Sequence, residues 1–209
     1  MTRIKVCGIT NLEDALAVLE AGADMLGFNF YARSPRYISA VETRRIVESL
    51  PDGVSSVGVF VDESTPADVE RIAHEAGLGA VQLHGDETPE FCEALRGLTT
   101  IKALRVGADF NIESANAYHT DAVLLDAYVA GARGGTGHTF DWQLATLTRE
   151  HVAKLFLAGG LNPDNVAAAV VAVRPYAVDV CSGVETSPGR KSPHLMRRFV
   201  EQVRSVFSF

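Results

Sequence analysis

Residues 3–10 read RIKVCGIT and residues 122–126 read AVLLD. Each run is short and largely apolar, and each carries at its end a side chain that can hold or release a proton, Cys7 in the first and Asp126 in the second. Gly8 then interrupts the first run, as a glycine does where a strand ends. If both runs are strands of one closed parallel barrel, the thiol and the carboxyl lie at the same mouth and suit a base and an acid.

The remaining chain predicts such a barrel. An apolar strand, a polar turn and an amphipathic helix repeat along all 209 residues, and no linker or low-complexity tract divides them. The strand segments are rich in Val, Ile, Leu and Phe without strict alternation, as in parallel strands covered by helices. We therefore expect an α/β fold, a (β/α)8 TIM barrel forming a single compact domain over residues 1–209. Residues 107–120 carry a weak helical signal, so the fifth helix is expected to be weak or missing. The predicted strands are 3–7, 24–30, 55–61, 79–84, 100–105, 121–126, 154–158 and 176–181.

Capping residues mark the helix starts. Thr10 with Glu13 and Ser39 with Glu42 have the spacing of capping boxes. In the first helix the residues that recur at helical spacing, and so predict its packed face, are Leu12, Ala15, Leu16 and Leu19. Four further pairs put a capping side chain before a proline at the first helical position: Thr65-Pro66, Thr88-Pro89, Asn162-Pro163 and Ser192-Pro193.

Period-two alternation predicts which strand side chains point into the barrel. On the first and sixth strands these include Lys5, Cys7 and Asp126, and on the eighth they are Asp179 and Cys181. The first and eighth strands are neighbours in a closed barrel. Lys5 and Asp179 are therefore expected to meet as a buried ion pair whose role is structural.

The loops that follow the strands build the active site in barrels of this kind. Cys7, Arg36 and Asp126 all stand at that rim. Each has an ordinary explanation by itself: an inert buried thiol, a solvated loop charge and a turn carboxylate. Their placement at one rim favours a shared site, in which the Arg36 guanidinium would hold a carboxylate with two hydrogen bonds.

Glycines at the same rim indicate what is bound. The loops after the seventh and eighth strands often hold a phosphate through backbone N–H groups, and small residues let an anion approach closely. We expect Gly159, Gly160, Ser182 and Gly183 to bind a phosphate in this way. The glycines after the sixth strand suit a lid that orders over the ligand; they are Gly134, Gly135 and Gly137.

Net charge, cysteine content and the length of the apolar runs indicate which binding partners and which cellular compartment to expect. A net charge of −7 argues against nucleic acid or an anionic membrane. Three well-separated cysteines indicate a reducing compartment without a disulfide framework. Apolar runs stay below the ~20 residues of a membrane span, and the N-terminus lacks the apolar core of a signal peptide. A cytoplasmic protein is expected, and both a monomer and a homodimer stay open.

Seven ordered stretches resemble the phosphoribosylanthranilate isomerase family. They are KVCGIT at 5–10, SPR at 34–36, GVFV at 58–61, QLHG at 82–85, GGTG at 134–137 with FDW at 140–142, LAGGL at 157–161, and Asp179 with SGVE at 182–185. Two departures stand out: Cys181 occupies a position that is usually serine-like in the family, and residues 189–192 read GRKS where an aspartate more often closes the stretch.

The resemblance implies an isomerase of tryptophan biosynthesis, one that rearranges N-(5-phosphoribosyl)anthranilate to 1-(2-carboxyphenylamino)-1-deoxyribulose 5-phosphate without a cofactor or metal. It implies Asp126 as general acid at the ribose ring oxygen and Cys7 as general base at C2. Arg36 takes the anthranilate carboxylate, and the phosphate takes the glycine-loop amides.

Two other functions stay open on the residues alone. One is another phosphate-binding barrel isomerase, although the related barrels with two acidic catalysts need an aspartate or glutamate where this chain has Cys7. The other is a catalytically silent phosphosugar-binding barrel. Such a barrel would be free to lose Cys7 or Asp126, and here both are present.

Overall fold

Eight parallel strands close into a barrel in chain order, so the predicted (β/α)8 architecture is confirmed. The computed structural model describes residues 1–95, 97–107, 110–127 and 140–206. The barrel strands are β1 (Arg3–Cys7), β2 (Met25–Asn29), β3 (Ser55–Phe60), β4 (Ala80–Leu83), β5 (Thr99–Val106), β6 (Ala122–Ala127), β7 (Leu155–Leu157) and β8 (Ala177–Val180). Their bounds differ from the predicted ones by at most one residue at each end, and those of β1 are the same. After β8 the chain adds an unpredicted antiparallel hairpin of β9 (Glu185–Ser187) and β10 (Arg190–Lys191).

A helix follows each barrel strand. The helices are α1 (Leu12–Glu20), α2 (Ala40–Val47), α3 (Pro66–Ala76), α4 (Pro89–Ala94), α5 (Glu113–Asn116), α6 (Trp142–Arg149), α7 (Val166–Val173) and α8 (Pro193–Ser205). With four residues, α5 is the stunted helix that the sequence predicts. Within the described ranges, no helix has the length and apolarity needed to cross a membrane.

Most predicted caps are correct. Ser39 and Glu42 form a reciprocal capping box, and the side chains of Thr65, Thr88 and Ser192 each accept an N–H at the start of a helix that begins with proline. The prediction for Thr10 is wrong. Asn11 caps α1 by accepting the Asp14 N–H, while the Thr10 hydroxyl donates to the Gly189 carbonyl at 2.7 Å. Thr10 thus holds the β9–β10 hairpin and does not cap a helix.

The start of α7 also differs from the prediction. Asn162 and Pro163 lie in a turn, where the Asn162 side chain accepts the N–H of Asp164, and the helix begins only at Val166. The side chain of Asn165 folds back to accept the Asn162 N–H at 2.9 Å. The capping chemistry of this segment therefore closes a loop, which belongs to the barrel mouth.

The packed face of α1 is partly mispredicted. Ala15 is buried as expected, but Leu12 and Leu16 are 37% and 44% exposed, and Val18 takes their place in the core. The cause is Asp14, which is buried because its carboxylate accepts the Lys191 N–H at 3.0 Å. Turning Asp14 toward the β9–β10 hairpin rotates the two leucines toward solvent.

Two apolar clusters follow the alternation of the strands. The larger one fills the layer between barrel and helices, and the smaller one, built on inward residues such as Val57, Leu124 and Phe156, fills the barrel interior. Lys5 and Asp179 pair across the β1–β8 register, and the Lys5 Nζ lies 3.0 Å from a carboxylate oxygen of Asp179. The predicted buried ion pair is thereby confirmed, and it lies directly below the mouth.

Candidate active site

A cavity of about 410 Å³ opens at the carboxyl ends of the strands. Nearly all the described residues predicted for the site line it: Cys7, Arg36, Asp126, Gly159, Gly160 and Ser182. Gly183 lies beside it without lining it. The predicted lid residues Gly134, Gly135 and Gly137 fall outside the described part of the chain. The cavity also takes in side chains that the sequence did not single out, among them Asn29, Arg33, Gln82 and His84.

Cys7 ends β1 as a buried thiol that is prepared to ionise. Hydrogen bonding with the Cys181 thiol holds the pKa of Cys7 well below its usual value, and the charges of Lys5 and Lys191 add to this against the opposing effect of burial. The same hydrogen bond, together with burial, raises the pKa of Cys181. Of the two thiols, Cys7 is therefore the one that ionises more readily.

Asp126 lies near the end of β6, buried against a histidine. Its Oδ2 is 3.2 Å from Nε2 of His84, and its Oδ1 accepts the N–H of Ala127 at 2.9 Å. The side-chain amide of Gln82 is 2.8 Å from Nδ1 of His84. With the amide nitrogen donating to Nδ1, the remaining imidazole proton sits on Nε2 and faces Asp126. Such a donor stabilises the carboxylate that remains once Asp126 has given up a proton.

Arg36 forms an ion pair with Glu185 at the mouth of the barrel. Its Nε and Nη2 hold the carboxylate of Glu185 at 2.9 and 2.7 Å, and these hydrogen bonds raise the pKa of Arg36. Burial opposes ionisation of Glu185, but the Arg36 hydrogen bonds and the Lys191 charge lower the pKa of that carboxyl. Within the described residues Nη1 of Arg36 meets no acceptor, so the end of the guanidinium stays open to a ligand.

The two glycine loops present backbone donors to the cavity. Within the described part of the chain, the N–H groups of Gly159 and Gly160 meet no protein acceptor. Gly159 has φ +84°, and a Cβ there would come within 2.6 Å of the Ala127 nitrogen. A Cβ on Gly183 would lie 2.0 Å from the Leu161 carbonyl oxygen, so glycine is required for the two loops to approach. Close packing of these loops gathers small residues around one anion-sized space.

Asp179 also lines the cavity, beyond its pairing with Lys5. Its Oδ2 accepts from Lys5, while its buried Oδ1 has no partner among the described residues. Burial raises the pKa of Asp179 to about 7. Alternation along β8 predicts that the Asp179 carboxyl points into the barrel. The sequence does not indicate that the same carboxyl, besides pairing with Lys5, also lines the cavity.

Four participants were missed at the sequence level: Gln82, His84, Glu185 and Lys191. A signal existed for the first two, because QLHG ends the predicted fourth strand and alternation puts Gln82 and His84 on the same inward face. Glu185 ends the SGVE stretch at 182–185, but that stretch did not point to a contact with Arg36. Lys191 had no signal, because it reaches the site through a hairpin without strand-like sequence.

Known proteins resemble this chain over nearly its whole length. The family model described as N-(5'phosphoribosyl)anthranilate (PRA) isomerase matches residues 4–202. N-(5'-phosphoribosyl)anthranilate isomerase of Geobacter sp. (strain M21) is 49% identical over 206 residues, which cover 99% of this chain and 100% of that protein. The crystal structure of phosphoribosyl anthranilate isomerase from Thermotoga maritima superposes with a TM-score of 0.92 at 45% identity, covering 98% of this chain and 100% of that one. A structure of such an enzyme in complex with reduced 1-(o-carboxyphenylamino)-1-deoxyribulose 5-phosphate gives a TM-score of 0.88 at 44% identity, with the same coverage.

Proposed function

Because the chain belongs to the N-(5'-phosphoribosyl)anthranilate isomerase family, we propose that its barrel mouth carries out the reaction of that family with Cys7 as the base and Asp126 as the acid. The protein is an isomerase of tryptophan biosynthesis. The observation that carries the residue assignment is the shared cavity, in which a thiol of lowered pKa and a buried carboxyl both meet the ligand space.

In the first step Asp126 gives its proton to the ribose ring oxygen of N-(5'-phosphoribosyl)anthranilate. The bond between that oxygen and C1 breaks, and the electron pair on the anthranilate nitrogen forms the C1=N bond of a Schiff base. The carboxylate left on Asp126 accepts the Nε2–H of His84 and the N–H of Ala127, which stabilises it at the moment its charge develops.

In the second step the Cys7 thiolate removes the proton on C2. The electrons of that C–H bond move into the C1–C2 bond and reduce the iminium to an enolamine. The enolamine then takes a proton at C1 and loses its hydroxyl proton to become the ketone, 1-(2-carboxyphenylamino)-1-deoxyribulose 5-phosphate. A thiolate suits this step as the base, and hydrogen bonding with Cys181 favours the thiolate by lowering the pKa of Cys7.

The two anionic ends of the substrate have separate partners in this proposal. The phosphate accepts the free N–H groups of Gly159 and Gly160 and those near Ser182 and Gly183. The anthranilate carboxylate accepts from the end of the Arg36 guanidinium that Glu185 leaves open. Support for a lid at Gly134, Gly135 and Gly137 comes from the sequence alone.

The wider setting of the reaction is also proposed. We treat residues 1–209 as one domain that uses a phosphorylated small molecule and neither nucleic acid nor a membrane. A cytoplasmic location is supported by the three cysteines, all of which are unpaired. Light scattering distinguishes the monomer from the homodimer.

Turnover of purified protein with N-(5'-phosphoribosyl)anthranilate, followed as loss of substrate fluorescence, tests the function. Cys7→Ala and Asp126→Ala are expected to lower kcat by roughly 10²–10⁴ each while substrate binding persists, because general acids and bases act on the transition state. Cys7→Ser should fail as well, since a hydroxyl ionises too reluctantly to replace the thiolate. A Cys7→Ala enzyme with near-parental kcat would refute the assignment of the base.

A further inference from the structure

We propose that Glu185 and Lys191, a charge pair on the β9–β10 hairpin, are positioning residues for the isomerase reaction: Glu185 aims Arg36 at the anthranilate carboxylate, and Lys191 holds the end of β1 that carries Cys7. The inference rests on the proposed function. It concerns two buried charged residues to which the steps above give no task.

Glu185 decides which edge of the Arg36 guanidinium faces the ligand. A guanidinium has two edges that can hold a carboxylate with two hydrogen bonds, one formed by Nε and Nη2 and the other by Nη1 and Nη2. Glu185 takes the first edge, with contacts of 2.9 and 3.1 Å at Nε and 2.7 Å at Nη2. The second edge is therefore the one left for the substrate, and its direction is fixed before the substrate arrives.

Lys191 ties Glu185 to the base. Its Nζ donates to the Glu185 carboxylate at 2.8 Å, to the Cys7 carbonyl at 2.5 Å and to the Cys181 carbonyl at 3.4 Å. An ammonium group has three N–H donors, so all of them are used. Its Nζ also lies 3.9 Å from the Cys181 sulfur. One buried cation thus connects the carboxylate that orients Arg36 with the backbone of both cysteines.

The hairpin is anchored so that this geometry is held. Glu185 and Lys191 face each other across the β9–β10 register. The Lys191 N–H donates to Asp14 on α1 at 3.0 Å, and the Gly189 carbonyl accepts from Thr10 at 2.7 Å. The side chains of Lys191 and Glu185 are 0% and 4% exposed. Because Thr10 and Asp14 both follow β1 in the chain, their bonds leave Glu185 and Lys191 little freedom to move independently of Cys7.

A charge at Lys191 also acts on the thiolate itself. The positive charge of Lys191 contributes to lowering the pKa of Cys7. The other titratable or charged groups that face Cys7 from the surrounding elements are Lys5, Arg36, His84, Asp179 and Cys181. Lys191 differs from the others because it also bonds the Cys7 backbone, so its loss changes both the charge near the sulfur and the position of the sulfur.

The chain contains a matched control. Lys102 is buried to 1% exposure, holds the 2%-exposed Glu87 at 2.7 Å, and donates to two backbone carbonyls, those of Leu83 and Gly85. It therefore repeats the burial, the carboxylate partner and the backbone bonds of Lys191 on the opposite side of the barrel. It is not among the charges that act on Cys7. Lys102→Met reproduces the structural loss without the proposed effect on the base.

The first measurement needs no substrate. Thiolate absorbance in the ultraviolet is followed as a function of pH in the parent, Lys191→Met, Lys191→Arg and Lys102→Met, with Cys7→Ala as the blank. Burial raises the pKa of Cys92 to about 11, so that thiol titrates above the range of interest. Lys191→Met is expected to move the Cys7 titration upward by about one unit. Lys191→Arg and Lys102→Met are expected to stay with the parent. If Lys191→Met does not accumulate as folded protein, Lys191→Gln carries the same expectation.

The second measurement is calorimetric binding to Glu185→Gln, with Glu87→Gln as its control. Reduced 1-(o-carboxyphenylamino)-1-deoxyribulose 5-phosphate is expected to bind on the order of tenfold more weakly, because Arg36 is no longer aimed. Ribose 5-phosphate, which has no carboxylate for Arg36, is expected to bind as it does to the parent.

Coincident thiolate titrations of Lys191→Met and the parent would overturn the role of Lys191. Equal loss of both ligands in Glu185→Gln would overturn that of Glu185 and leave the pair as a structural feature of the hairpin. If the parent protein fails to turn over the substrate, the proposed function is wrong, whatever the thiolate titration shows.

Discussion

Replacing Cys181 by alanine tests how the base is ionised. Hydrogen bonding with the Cys181 thiol is the largest of the contributions that lower the pKa of Cys7. Alanine removes the donor and leaves Lys5, Lys191 and His84 in place. We expect the pKa of Cys7 to rise in Cys181→Ala without returning to that of a free thiol.

The size of the rise follows from the strength of one hydrogen bond to a charged acceptor. Such bonds are worth roughly 1.5–3 kcal/mol. Because S–H is a weak donor, the lower end applies. About 1.4 kcal/mol corresponds to a rise of about one pKa unit. The carboxylate of Glu185 competes for the same proton, but it lies 3.9 Å from the Cys181 sulfur, at the outer limit for such a bond.

The assay is the pH dependence of kcat/KM, whose acid limb reports the ionisation of the base in the free enzyme. The limb of Cys181→Ala is expected about one unit above that of the parent, and the two profiles should converge at alkaline pH, where both enzymes carry a full thiolate. Cys181→Ser is the control, since its hydroxyl can donate to the Cys7 sulfur. If the limbs of Cys181→Ala and the parent coincide, the Cys181 proton points at Glu185, and the neighbouring cations alone ionise Cys7.

Three further outcomes are expected. Arg36→Met should weaken binding of the reduced product analogue by roughly 1.5–3 kcal/mol and leave ribose 5-phosphate nearly unaffected; equal losses in calorimetry would show that Arg36 serves the fold or the phosphate. Lys5→Met should cost about 3–5 kcal/mol in urea unfolding near neutral pH, because Asp179 then lies buried without its partner. This loss of unfolding free energy should shrink as pH falls, because the raised pKa of Asp179 lets the folded protein bind a proton there before the unfolded chain does. The double variant Lys5→Met/Asp179→Asn should recover much of the lost stability. A loss that does not depend on pH would contradict this. Peroxide should oxidise the Cys7 thiolate to a sulfenic acid, from which Cys181 displaces water to form a disulfide that dithiothreitol reverses. Peptide mapping without reductant checks for the Cys7–Cys181 crosslink, and a Cys181→Ser enzyme that recovers as fully as the parent would count against it.

The barrel was predictable because its strands repeat a local pattern that tertiary packing does not override. Alternation on β1 and β8 put Lys5 opposite Asp179 and Cys7 beside Cys181, and the observed register of Lys5 with Asp179 and Val6 with Val180 agrees. A parallel ladder fixes each inward side chain once the neighbouring strands are known.

Capping side chains were less reliable, because the same chemistry closes loops. Thr10 and Asn162 have the right groups for a helix start, yet Thr10 donates to Gly189 and Asn162 closes a turn before α7. Both segments lie on the loops of the active-site rim, where the hairpin and the glycine loops compete for the capping groups. Local propensity therefore failed where the chain serves the site.

The partner of Arg36 was hidden for a different reason. Glu185 is 149 residues away in sequence, on a strand of three residues. Arg36 lies in a loop, and a strand as short as β9 has no sequence pattern from which its register could be extrapolated. SGVE at 182–185 suggested a phosphate loop, and in the structure its last residue, Glu185, contacts Arg36.

Each cation whose side chain is buried in the described part of the mouth contacts a carboxylate. Lys5 is paired with Asp179, and Arg36 and Lys191 share Glu185. An unpaired buried cation would bind an anion strongly, but it would also be costly to keep in the empty enzyme and would hold the product. Pairing lets these groups direct hydrogen bonds and adjust one thiol, and it reduces their attraction for an anion. In a chain of net charge −7, the two anionic groups of the substrate are, in this proposal, held by donors in fixed positions, namely the Gly159 and Gly160 amides and the open edge of Arg36. On this proposal the positions of the donors select the ligand more than the overall electrostatic field does. The geometry of the β9–β10 hairpin, which orients Arg36, then contributes to substrate specificity.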